Sequence, residues 1–355
     1  MTTSTASHLG QDPASSQPAS PALKPKNIGL WVGVGALGVL LAGFLLVALM
    51  MTVLSPAKLP YDRLMQVTLS GVISGQPDQG SGLFSSESTA LRTRKALDDL
   101  LEDDTVKGVL LVIDSPGGTV GMSQELFESV RRLRKKKPVV VSIADVAASG
   151  GYYTACAADK IYANPGSITG SIGVIISTLN FHQLMEQKLG VKGVTIKSGR
   201  FKDLLSPYRA PQADELAMIQ QLVMDSYDQF IGVVVENRTR FLQSDEERKQ
   251  REASLRAIAD GRVLIGSQAL KVGLVDAIGD RFEAEKALEQ MAKERFSLPS
   301  ERKLSLEEYR KSSLGFVDML LGQSPATFFA KSGTGLESLV PFSARHLNQP
   351  LWLLE

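Results

Sequence analysis

The stretch Asp145-Val-Ala-Ala-Ser-Gly-Gly-Tyr-Tyr153 sets one serine among alanines and glycines, directly after the apolar run Val139 to Ile143. Small neighbours give Ser149 room on a tight strand-to-helix turn. Its hydroxyl would sit at a helix N-terminus, where backbone N–H groups favour developing negative charge. The chemistry this permits is nucleophilic attack on a carbonyl; the structural alternative is a helix N-cap, a common role for serine. A serine nucleophile needs a base to take its proton and donors to hold the oxyanion it creates. Gly117 and Gly118, in Asp114-Ser-Pro-Gly-Gly-Thr119, offer a second loop whose backbone N–H can approach a carbonyl closely, against the plainer reading of a Pro-Gly turn. An amide from that loop and the amide of Gly150 would together form an oxyanion hole.

The base is harder to find. Of the three histidines, His8, His182 and His346, only His182 falls inside the expected folded body. The one cysteine, Cys156, reads as a buried small residue on a helix and excludes an intrachain disulfide or a multi-cysteine metal site. No metal site is expected. Lysine is the remaining choice: the segment Lys197-Ser-Gly-Arg-Phe-Lys-Asp203 follows a short expected strand, Val194 to Ile196. A lysine serves as base when neutral, and serine with lysine is a known nucleophile–base pairing. Residue types and spacing do not separate Lys197 from Lys202.

The elements that must position these groups follow from periodicity. Alternation over Leu64 to Leu69 predicts a first strand, and Leu91, Ala96, Leu97, Leu100 and Leu101 predict a helix over Thr89 to Glu102. The compact run Gly108 to Ile113 fits a strand buried on both faces. A helix with Leu126, Val130 and Leu133 follows, and its closing basic run, Arg131 to Lys137, reads as solvated. Pro138 then opens the strand Val139 to Ile143. Alternating strands and helices make an α/β layer with parallel strands and right-handed crossovers. Both glycine-bearing loops leave carboxyl ends of strands, the edge at which ligand crevices of such sheets form. Gln212 to Phe241 reads as a long helix with Leu216, Ile219, Leu222, Val223, Phe230 and Val234 on its apolar side.

The ends of the chain read differently. Residues 1–27 form a polar, disordered tail, and residues 28–54 carry no charge across 27 positions. A helix of that length exceeds a hydrocarbon core of about 30 Å, so the expectation is one N-terminal transmembrane helix. Lys24 and Lys26 before it place the N-terminus in the cytoplasm and the rest outside. A cleavable signal peptide is the competing reading, and the apolar run is too long for one. Residues 55–62 form a linker, residues 63–295 the catalytic domain and residues 296–355 a C-terminal tail. The formal charge of +1 gives no electrostatic reason for a nucleic-acid partner.

The ordered set DSPGG (114 to 118), AASGGYY (147 to 153), GSITGSIGV (166 to 174), KSGRFKD (197 to 203) and GRVLIGSQALKVGLVD (261 to 276) resembles the signal peptide peptidase A family of Ser/Lys membrane proteases. The resemblance spans roughly residues 63–295. It implies a ClpP/crotonase-like α/β fold with a parallel sheet and crossover helices, Ser149 as nucleophile and Lys202 as general base. By the same comparison Gly118 and Gly150 take the oxyanion-hole positions and Ser171 hydrogen-bonds the base, with no metal or cofactor. The single catalytic copy matches the shorter members, ring or dome homo-oligomers whose serine and lysine come from neighbouring subunits. The implied function is a peptidase of the bacterial cell membrane that degrades hydrophobic peptides, cleaved signal peptides in particular, next to membrane lipid. The alternatives are a crotonase-type acyl-CoA enzyme, which shares the superfamily and a backbone oxyanion hole, and an inactive membrane scaffold of the same fold.

Overall fold

The structure, a computed structural model, describes residues 35, 37–46, 61–76, 87–309 and 351–353. The chain divides into two units, Met1–Leu59 and Pro60–Glu355. In the first, residue 35 and residues 37–46 are helical and exposed. The rest of the expected anchor, together with the polar tail before it, lies outside the described residues. Among the described residues no helix is long and apolar enough to cross a membrane.

The second unit begins with β1 (Arg63–Ser70), α1 (Thr89–Glu102), β2 (Val106–Ser115) and the short β3 (Gly117–Thr119). Then come α2 (Val120–Lys136), β4 (Val139–Ala148), α3 (Gly150–Ala155), β5 (Lys160–Ala163) and β6 (Ile168–Gly170). An irregular arm leads to α4 (Ala213–Thr239) and α5 (Asp245–Ala257). The unit continues with β7 (Val263–Ile265), α6 (Gly266–Val272), β8 (Ala277–Ile278), α7 (Arg281–Phe296), β9 (Ser305–Glu308) and β10 (Leu351–Leu353). The main sheet runs β7-β6-β4-β2-β1-β9, with β5 and β8 branching from β4. Every pairing in it is parallel except β6 with β7. This is the expected α/β layer, and β9 carries the sheet beyond residue 295.

Helices cover both faces of the sheet, which explains the continuous apolar run of β2. On one side α1, α2 and α3 bury Leu97, Leu126, Val130, Leu133 and Tyr152 against Leu111 and Ile113. On the other, Ala284, Leu288 and Ala292 of α7 meet Leu64, Leu110 and Val140. Each fully buried Leu or Val here stabilises the fold by about 1.5–3 kcal/mol. The strand that matters most for position is β4. Its first half pairs with β5 through Val140–Ile143, and its last residues, Val146–Ala148, pair with β6 instead. The strand therefore ends between β2 and β6 at the carboxyl edge of the sheet, and Ser149 is the next residue.

Two expectations are corrected and one is sharpened. Val194 to Ile196 forms no strand: Val194 is 87% and Ile196 97% exposed, and among the described residues no strand pairs with them, without which β propensity has little effect. The long helix, expected to pack against the core or a neighbouring subunit, meets the core of this chain only through its C-terminal half, at Phe230, Ile231 and Val234, while Leu216 and Leu222 are exposed. The basic run is not wholly solvated either. Lys137 is buried, and its Nζ donates to the carbonyls of Leu100 (2.6 Å) and Asp103 (2.5 Å), closing the C-terminus of α1.

Behind α3 lies an ion pair whose arginine is buried. Arg238 of α4 donates to both carboxylate oxygens of Asp276 (2.7 and 3.0 Å) and to Gly273 O (2.9 Å). Asp276 also accepts the Ile161 N–H at 2.8 Å, and Tyr152 OH donates to Leu274 O at 2.7 Å. Burial alone disfavours the guanidinium charge, but Tyr152 and Asp276 outweigh it and raise the Arg238 pKa above its ordinary value. Replacing Arg238 with Met strands the carboxylate, and the expected cost is about 3 kcal/mol, the lower end for a buried pair because Asp276 is part-exposed. Urea unfolding measures it; a loss below about 1 kcal/mol would contradict the clamp.

Candidate active site

Ser149 stands between β4 and α3 with φ 51° and ψ −118°. That conformation suits glycine, and a side chain held there costs on the order of 1–3 kcal/mol. Two backbone bonds impose it: Ser149 N–H donates to Gly170 O and Tyr153 N–H to Ser149 O, each at 2.8 Å. The capping alternative fails, because the serine side chain makes no cap hydrogen bond. Its Oγ is instead buried and has no hydrogen-bond partner. An unsatisfied buried hydroxyl costs about 1–3 kcal/mol, so strain and desolvation meet at one atom. A strained strand-to-helix turn of this kind is how hydrolases present a nucleophile.

The expected oxyanion donors converge beside it. Ile73 N–H donates to Gly117 O and Thr119 N–H to Ile73 O, both at 2.8 Å, so the Gly118 N–H between them faces the opposite way. A Cβ on Gly118 would overlap the Ile73 carbonyl. A Cβ on Gly150 would overlap Ser123 Oγ and lie 3.2 Å from Gly118 N. The Gly118 and Gly150 backbones thus pass close to each other; at Gly118 the Ile73 carbonyl excludes any side chain, and at Gly150 a side chain would have to displace the Ser123 hydroxyl. The expected loop is in part a strand: β10 pairs antiparallel with β3, Trp352 standing opposite Gly118. An extended segment of the chain itself occupies that edge.

Ser171 follows Gly170 directly and shares the φ of 51°, its N–H bonded to Arg262 O at 2.8 Å. It is 6% exposed, one residue from the carbonyl that holds Ser149. The sequence did not single out Ile73 or Ser123. Ser123 lies four residues after Thr119 and donates to its carbonyl at 2.9 Å, so helical spacing was a usable signal. Ile73, far away in sequence, had none.

The base candidates separate in three dimensions. His182 lies on the arm, with Nδ1 3.2 Å from Tyr208 O and Nε2 3.4 Å from Glu186. Lys197 is committed: its Nζ donates to Arg200 O at 2.9 Å and pairs with Asp203. Lys202, exposed on the 3-10 turn Arg200–Asp203, enters no side-chain hydrogen bond or ion pair among the described residues. No hydrogen bond joins it to Ser149, Ser171, Gly118 or Gly150 within the chain. Ser149, Gly150 and Gly118 lie on neighbouring segments, and Lys202 makes no contact of this kind with them. Cys156, at the end of α3, is buried, and burial pushes its thiol up to about 12, which leaves it inert.

Residues 131–295 match the family model of peptidase family S49. The chain is 36% identical over 283 residues to an Enterococcus faecium protein provisionally named signal peptide peptidase SppA, an alignment covering 78% of this chain and 76% of that one. It is 40% identical over 232 residues to a provisionally named protease of Methanocaldococcus jannaschii, covering 65% of this chain and 71% of the relative. Protease 4 of Haemophilus influenzae is 30% identical over 256 residues, 71% of this chain and 38% of that protein.

Gly150→Ala keeps the N–H but pushes a Cβ against Ser123 and Gly118, and the displaced donor is expected to lower peptide hydrolysis by up to about 10²–10³-fold, the effect of losing one oxyanion donor. Gly121→Ala serves as control, since a Cβ there meets nothing within 4 Å. Steady-state rates on a fluorogenic peptide decide the matter: equal activity in the two variants would contradict the donor assignment.

Proposed function

Because the chain belongs to peptidase family S49, we propose that it is a membrane-anchored serine endopeptidase whose nucleophile is Ser149 and whose general base is Lys202. The observation that carries this reading is the buried, unbonded Ser149 Oγ on a strained turn beside two glycine amides. Neutral Lys202 takes the hydroxyl proton as Oγ attacks the peptide carbonyl, and the N–H groups of Gly118 and Gly150 hold the resulting oxyanion. Collapse expels the amine, which leaves with the proton from Lys202. Water, deprotonated by the same lysine, then hydrolyses the acyl-enzyme through a second oxyanion in the same hole. Ser171, beside the nucleophile, orients the lysine.

Substrate and setting follow from the rest of the chain. The uncharged run at residues 28–54 anchors the enzyme in the bacterial membrane, with the N-terminus cytoplasmic and the catalytic unit outside. Hydrophobic peptides released in the bilayer, cleaved signal peptides among them, are the substrates within its reach, in keeping with the name of the Enterococcus relative. The pairing of β10 with β3 supports a substrate lying as an antiparallel strand against Gly117–Thr119. The exposed apolar side chains of the arm, with Leu189, Val194 and Ile196 more than half exposed, favour burial against a second copy. A neighbour packed there would bring its Lys202 to Ser149 of this chain.

Co-expression of two inactive variants tests the reading. Ser149→Ala and Lys202→Ala are each expected to lose all measurable activity, whereas random co-assembly restores about a quarter of wild-type sites if each site draws on two neighbours in a ring. Full activity in either single variant would refute the pair, and no recovery on mixing would refute the shared site.

A further inference from the structure

The arm that carries Lys202 has almost no core. None of the four residues of the turn Arg200–Asp203 is buried, and the apolar residues before it face outward. Something other than packing must fix the geometry of this turn, and the arm supplies it as charge. Arg209 donates from Nε to Asp203 Oδ2 (2.8 Å) and from Nη2 to Asp203 Oδ1 (2.8 Å) and the Asp203 carbonyl (3.1 Å). The other side of the same guanidinium binds Glu215, Nη1 to Oε2 at 2.7 Å and Nη2 to Oε1 at 2.6 Å. Glu215 is 2% exposed and accepts the Gln212 N–H at 2.9 Å, which makes it the capping carboxylate of α4. Arg209 therefore pins the turn to the start of a 27-residue helix through two bidentate contacts.

We infer that Arg209 is a positioning residue for the general base: it fixes the Lys202 turn and keeps the adjacent Asp203 carboxylate away from the Lys202 ammonium. The inference rests on the reading of Lys202 as base. A carboxylate next in sequence to a lysine, if unpaired, attracts the ammonium and favours the charged form, which cannot accept a proton. Here both Asp203 oxygens are taken, Oδ2 by Arg209 and Oδ1 by Arg209 and Lys197. The remaining charged groups of the cluster are matched as well, Arg200 with Asp214 and Arg209 with Glu215. Among the described residues, Lys202 is the cation of this cluster without an ion-pair partner. The hydrogen bonds from Arg209, joined for Asp203 by that from Lys197, hold Asp203 well below the usual carboxylate range and Glu215 down at about 2. Both therefore stay charged, and the network stays complete, at every pH where a neutral lysine forms. A lysine at position 209 would keep the charge but lose the planar fork that engages two carboxylates at once.

The experiment uses the full-length enzyme in detergent or vesicles, with Arg209→Ala, Arg209→Lys, Arg209→Ala/Asp203→Asn and Lys202→Ala compared after active-site titration, so that unfolded protein does not count. Two rates are followed against pH: labelling of Ser149 by a fluorophosphonate, and turnover of a fluorogenic hydrophobic peptide. Arg209→Ala is expected to lower kcat by about 10–100-fold, as a displaced catalytic group does, with KM within about twofold. Its activity should also need a higher pH than wild type, because the released carboxylate favours protonated lysine. In the double variant, which removes that carboxylate, the pH profile should return toward wild type, and Arg209→Lys should fall between. An unshifted profile in Arg209→Ala, with Lys202→Ala inactive, would overturn this role for Arg209 and leave the base assignment standing. An active Lys202→Ala would overturn both.

Discussion

Everything at this site depends on three backbone segments meeting where no Cβ can fit. Gly118 lies against the Ile73 carbonyl, Gly150 against Ser123 and the Gly118 amide, and Ser149 is held in a glycine-like conformation by Gly170. The Ser149 hydroxyl, on the segment between Gly150 and β4, is buried without a hydrogen-bond partner. A serine in this environment is destabilised as a resting side chain, which is the arrangement expected when a group is organised for the charge that develops during reaction rather than for the ground state.

The rest of the fold serves that approach. Because β4 leaves β5 for β6 halfway along, its end is held from two sides, and the strain at Ser149 is supported by a continuous parallel sheet rather than by a loop. The Arg238–Asp276 pair steadies the far end of α3. The arm with Lys202 is built on the opposite principle: few buried side chains, many charge-assisted hydrogen bonds, and an apolar outer surface. Under the proposed roles, Ser149 on the sheet would supply precision and Lys202 on the charge-braced arm would supply reach.

Much of this was legible in the sequence. The helix Thr89–Glu102, the buried strand around Gly108 to Ile113 and the strand leading to Ser149 are local patterns, set by periodicity within a dozen residues. Ser149 and the glycine loop are weak signals by residue type alone; their placement at consecutive strand ends, and the family resemblance that picks out Gly118 and Gly150, made them a candidate site. What could not be read depends on partners far along the chain. Ile73 defines Gly118 from 45 positions away, β6 captures the end of β4, and Val194 to Ile196 finds no strand partner among the described residues. Lys197 and Lys202 are equivalent by composition; they differ only because Asp203 folds back onto one of them. Arg209 reaches Asp203 and Glu215, each six residues away, a spacing that no helix or strand period would flag.

The central claim is that Ser149 is a nucleophile activated by its setting. The most direct measurement is covalent labelling with a fluorophosphonate probe, read by mass spectrometry of the labelled peptide. The account predicts one adduct, on Ser149, formed by the intact enzyme, absent after denaturation and absent in Ser149→Ala. Labelling that persists in Ser149→Ala, or an intact and peptide-cleaving enzyme that leaves Ser149 unmodified, would contradict it.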